Sequence, residues 1–109
     1  METVRASIVW AGTEKDVLTL LREPAPEMWE ADPTVDPGGG AIAILRTLDE
    51  KEQETGQVAG VEIVGFLEFD RWRDIPRLPI LWQLAQNEPL PLHELLKRTQ
   101  RELKQVAAA

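Results

Sequence analysis

Gln57-Val58-Ala59-Gly60-Val61-Glu62-Ile63-Val64-Gly65-Phe66-Leu67-Glu68-Phe69 is the stretch on which the fold reading turns. Val61, Ile63, Leu67 and Phe69 fall on one face at a period of two, and Glu62, Val64, Phe66 and Glu68 fall on the other. Such alternation marks a β-strand with one covered face. Gly60 and Gly65 interrupt it and point to a bulge or to the close approach of a neighbouring element.

Upstream, Ala41-Ile42-Ala43-Ile44-Leu45-Arg46-Thr47-Leu48 reads as a second strand, joined to the first by the charged connection Asp49–Thr55 and a turn at Gly56. Val4, Ala6, Ile8 and Trp10 share one face of a strand over residues 4–10. Val17–Arg22 fits either a strand or the continuation of a helix begun near Thr13. Between these strands, residues 24–40 read as a long irregular loop, because Pro24, Pro26, Pro33 and Pro37 remove backbone donors and Gly38-Gly39-Gly40 is flexible. Met28 and Trp29 are expected to tuck onto the core, and Glu27, Glu30, Asp32 and Asp36 to be solvated.

Downstream the character changes. Asp74 can cap a short turn, and Pro79 suits the first position of a short apolar helix over 79–87. From Pro91, residues Leu92, Leu95, Leu96, Thr99, Leu103 and Val106 repeat at three-and-four spacing, an amphipathic helix. Its Ala107-Ala108-Ala109 end is expected to fray. Strands followed by helices predict an α+β fold. The expectation is a small antiparallel four-stranded sheet, followed by C-terminal helices packed on one face. It is a single domain over 1–109, with the sheet in 4–70 and a helical tail in 71–109.

Ile8-Val9-Trp10, followed by Thr13-Glu14-Lys15-Asp16-Val17-Leu18-Thr19-Leu20, resembles the opening of the YuzE-like bacterial domains of unknown function. Thr55-Gly56-Gln57-Val58-Ala59-Gly60-Val61-Glu62-Ile63 is similar to their Gly-x-hydrophobic-x-Gly-hydrophobic-Glu-hydrophobic hairpin arm. The resemblance spans roughly residues 6–70 and tips 17–22 toward strand. It implies a small curved sheet with a helix packed on it, and no known activity.

Charge is unevenly distributed. The chain has 109 residues, 19 Asp+Glu and 12 Lys+Arg, for a net −7. Residues 1–70 hold 5 Lys/Arg against 15 Asp/Glu, a balance of −10, and residues 71–109 hold 7 against 4, a balance of +3. The acidic part should repel nucleic-acid phosphates. Cysteine is absent, which excludes thiolate chemistry and thiolate metal sites. No signal peptide and no membrane span are visible, so a cytoplasmic location is expected.

No motif reaches the arrangement that chemistry needs. His93 is the sole histidine and reads as a surface or helix-cap residue. Asp32 with Asp36, and Asp49, Glu50, Glu52 and Glu54, are carboxylate clusters without the pattern of a calcium loop. Glu62 and Glu68, six residues apart on one strand, would lie roughly 20 Å apart, too far for an acid/base pair. Gly38-Gly39-Gly40 lacks the lysine and the helix of a phosphate loop. Neither a cofactor, a metal nor a catalytic residue is therefore expected.

Trp72-Arg73-Asp74-Ile75-Pro76-Arg77-Leu78-Pro79-Ile80-Leu81-Trp82 mixes the residue types that anchor protein interfaces. The expected function is a non-catalytic interaction module that binds a second copy of itself or another protein. Phe66, Trp72, Arg73 and Trp82 are the expected contact residues. The alternative is a small-molecule binder or carboxylate-dependent hydrolase, with a site between the 24–40 loop and the sheet.

Overall fold

Alternating apolar residues in β1 (Glu2–Trp10), β2 (Val17–Arg22), β4 (Ile42–Leu48) and β5 (Glu54–Val64) bring these strands together as the centre of one sheet. The computed structural model describes residues 1–108. Three more strands extend the sheet: β3 (Trp29–Ala31), β6 (Ile80–Leu84) and β7 (Leu90–Pro91). The order across it is β3-β4-β5-β2-β1-β6-β7. Every neighbouring pair is antiparallel except β1 with β6, which run parallel. A single-turn 3-10 helix, Trp72–Asp74, and one α-helix, α1 (Leu92–Ala108), complete the chain.

The fold differs from the sequence expectation in its strand count and in the state of several segments. The sheet has seven strands and is mixed, not four antiparallel strands, and one α-helix follows it rather than several. The segment expected as a helix over 79–87 is β6. A short apolar run such as Ile80-Leu81-Trp82 suits either state, and here the free edge of β1 decides. Glu2 to Ala6 pair in register with Ile80 to Leu84, so Val4 and Trp82 point together into the core. Such a parallel pairing, far apart in sequence, leaves no local signature. The predicted helical tail over 71–109 is therefore strand for part of its length.

The strand read through residue 69 stops at Val64. Gly65 takes φ +70°, a left-handed conformation that turns the chain out of the sheet. Phe66 and Phe69 then both enter the core, instead of facing opposite ways. The 24–40 loop is not wholly irregular, since β3 pairs with β4. Trp29 lies on that edge strand, 40% exposed, and does not join the core.

One face of the sheet carries the core. Leu18, Leu20, Ile42, Ile44, Val61 and Ile63 are buried there beneath α1 and the segment leading to it. Leu92, Leu95 and Leu96 of α1 are buried against them, each contributing roughly 1.5–3 kcal/mol. Val106, at the end of the predicted apolar stripe, is exposed at 68%. Of the Ala107-Ala108-Ala109 end expected to fray, Ala107 and Ala108 belong to α1, and Ala109 lies outside the described residues. Gly60 is buried where β5 crosses close to β2. A Cβ there would collide with the Leu20 carbonyl oxygen, so no larger residue fits the ladder.

Candidate functional site

Two surfaces of the sheet have different chemistry. The covered side is built by residues 65–79, which leave β5 and cross the core. Asp16, in the β1–β2 turn, fastens the start of this segment. Its carbonyl accepts the Gly65 and Phe66 N–H groups at 2.8 and 3.2 Å. Its carboxylate accepts the Leu67 N–H at 2.9 Å and the Trp10 indole N–H at 2.9 Å. Gln100 of α1, itself buried, donates to the Phe66 and Phe69 carbonyls, both at 2.8 Å. Backbone groups freed by the break in the strand are thus satisfied from two elements, which fixes the segment in place.

Beyond it lies a cleft of about 510 Å³ whose wall includes Trp72, Arg73, Arg77, His93 and Lys97. Trp72 meets Phe69 edge-on at 5.0 Å between centroids, and the Lys97 ammonium stands 5.6 Å from its ring centroid. His93 Nε2 lies 3.0 Å from the Trp72 carbonyl, so the ring donates there and holds the turn to α1. Asp70 and Asp74 share this wall, and Arg71 is neutralised by Asp36 at 2.9 Å and Asp74 at 2.8 Å. The cleft is therefore of mixed charge, and its excess of cations is small.

The loop acids hold structure together. The Asp36 carboxylate accepts the N–H groups of Ala41 and Ile42 at 2.8 and 3.2 Å, besides the Arg71 guanidinium. Arg71, and then those two backbone donors, hold its carboxyl down at about 2. The guanidinium is raised in turn, first by Asp36 and then by Asp74. Asp32 accepts from the hydroxyl and N–H of Thr34 and pairs with Arg46 at 3.4 Å, and its carboxyl also lies below the ordinary range. These two residues, expected to be solvated, fasten the 24–40 loop to the sheet and to Arg71. The depression beside that loop is lined by Glu27, Met28, Trp29 and Leu48, with one carboxylate among them. Glu62 and Glu68 do not share a strand, because β5 ends at Val64. Among the described residues no group of three or more His, Asp or Glu side chains converges as a metal site.

The opposite surface is the outer face of the sheet. Cross-strand register puts Val9, Thr19, Glu62 and Ala43 in one row. Ser7, Leu21, Gly60 and Leu45 form the next, and Val17 pairs with Val64 on the same side. Leu45 is buried at 6%, Val17, Leu21 and Ala43 are half-buried, and Val9 and Val64 are the exposed apolar side chains of this face. Val9 is 66% and Val64 45% exposed, and no helix is laid over them. Charge is sparse there. On the outward positions of β1, β2, β4, β5 and β6, the ionisable residues are Arg5 and Glu62.

Of the four contact residues expected from sequence, Phe66 and Trp82 are fully buried and cannot meet a partner in this fold. Trp72 is half-buried and Arg73 exposed, and both lie in the cleft. The outer face was missed as a contact surface. Its signal was Val9 and Val64, apolar residues on strand faces whose neighbours are polar. No helix among the described residues is long and apolar enough to cross a membrane. No family model, curated protein or solved structure matches the chain.

Proposed function

We propose that the chain is a non-catalytic protein-interaction module that self-associates through the outer face of its sheet. The observation that carries this reading is a sparsely charged sheet face on which Val9 and Val64 stand exposed with no helix over them, on a chain that is 28% charged. A sheet ordinarily buries an apolar face against another element. A second copy brings a face of the same size and chemistry. The edges are poor alternatives for pairing. β3 has three residues and is flanked by Pro26 and Pro33, and β7 has two and contains Pro91. The YuzE-like resemblance brings no activity with it and adds nothing to this reading.

Sedimentation velocity on the purified chain and on a Val9→Lys/Val64→Lys variant tests the proposal. The expected result is a dimer that the variant converts to a folded monomer. A wild-type chain that stays monomeric at high micromolar concentration overturns it.

A further inference from the structure

The outer face carries two opposite charges, and each lacks a counterion. Arg5 reaches no carboxylate among the described residues, and its guanidinium touches only the Ala85 carbonyl at 3.5 Å. Glu62 reaches no cation and accepts only the Thr19 hydroxyl at 3.3 Å. Glu23, just past the end of β2 and opposite Arg5, makes no ion pair with it. Arg5 and Glu62 are separated by two strand spacings, and by four residues along the strand, because Val9 shares a row with Glu62. That is roughly 16 Å, too far for them to meet within one protomer.

We infer that the self-association is isologous, with Arg5 of each protomer placed over Glu62 of the other and Leu21 at the two-fold axis. This rests on the self-association proposed above. A two-fold dimer brings residue i to j and j to i together. The single axis lying between the faces that exchanges Arg5 and Glu62 passes midway between them. Midway lies on β2, in the row Ser7-Leu21-Gly60, at Leu21. Leu21 is half-buried and is flanked in that row by Ser7 and by Gly60, which carries no side chain, so two copies of Leu21 can meet at the axis. The same operation gives each buried charge an opposite partner, without which burying it would be costly. Among the described residues Arg5 is the one cation on the outward strand positions of the face, so this register is the one that pairs Glu62 with it.

Charge reversal tests the register. Arg5→Glu and Glu62→Arg, each alone, are expected to weaken the dimer about tenfold or more by analytical ultracentrifugation. The double swap Arg5→Glu/Glu62→Arg is expected to restore it to near the wild-type constant. Circular dichroism on each variant checks that the fold is kept. A second readout needs no charge change. The chain has no cysteine, so Leu21→Cys presents one thiol per protomer, and a short bis-maleimide is expected to link two protomers across the axis. A wild-type dimer that the double swap fails to restore, or that Leu21→Cys fails to cross-link, overturns this register and leaves the self-association standing. A wild-type monomer overturns both.

Discussion

The two faces of the sheet are made by the same strands, yet they meet different fates. Leu18, Leu20 and Ile63 point inward and are fully buried, while Val9 and Val64, on β1 and β5, point outward and remain 66% and 45% exposed. Hydrophobicity does not separate these side chains. The separation comes from what is laid across each face. Residues 65–79 and α1 cover the inner face, and no described helix lies over Val9 and Val64 on the outer one. The inner face carries the stability of the protomer, and the outer face is the surface proposed above for self-association.

The sharpest way to break that contrast is at Trp82, at the centre of the covered side. Trp82→Ala should cost about 3–5 kcal/mol in urea unfolding. Trp82→Phe should cost far less, since the Trp82 indole N–H is buried without an acceptor and its removal relieves a desolvation cost of about 1–3 kcal/mol. If Phe proves as damaging as Ala, the ring's volume does not account for its contribution.

Gly60 comes next, since it sits where β5 presses closest on β2. Gly60→Ala should lose about 1–3 kcal/mol by the same measurement, because the Cβ meets the Leu20 carbonyl and β2 must shift away from β5. A neutral result would mean that the two strands can separate without cost.

Asp36 tests the loop that borders the covered side. Its carboxyl sits at about 2, below its unfolded value of 3.8. The stabilisation is therefore complete above the unfolded value and is lost as pH falls from about 4 through 2. Asp36→Asn should lower the urea midpoint at pH 7 and flatten the acid limb of its pH dependence over that window. An unchanged acid limb would place the acid sensitivity elsewhere, Asp32 being the next carboxylate held low.

On the open face the expected effect on the protomer is smallest. Val9→Lys should change protomer stability by no more than about 0.5 kcal/mol, because the side chain is already largely in water. The same variant should weaken self-association. A large loss of protomer stability would mean that the face is already covered within one chain.

Much of the sheet was legible in the sequence. The strands at 4–10 and 41–48 and the last helix follow from alternation or three-and-four spacing. Residues 17–22 are strand, which their local pattern leaves open. The connection read over 49–55 with a turn at Gly56 is shorter, because β5 already begins at Glu54 and contains Gly56. β6 was not legible, because five residues fit either state and its partner, β1, lies some eighty residues upstream. The end of β5 was misread because Gly65 was taken as an interruption, whereas its positive φ ends the strand. Phe66 and Trp82 were read as contact residues for the same two reasons, since their burial depends on that turn and that pairing.

By itself the sequence determined the local periods, the acidic first part and the basic last part, the absence of thiol chemistry and the position of α1. These depend on neighbours a few residues apart, and a period records such neighbours directly. Only the tertiary structure decided that the sheet is mixed and seven-stranded, that Asp32 and Asp36 act as fasteners, and which apolar face goes uncovered. Each of those depends on which distant segment arrives at a given edge or face. Alternation shows that a strand has two sides, but the layer that buries one of them is supplied by chain elsewhere.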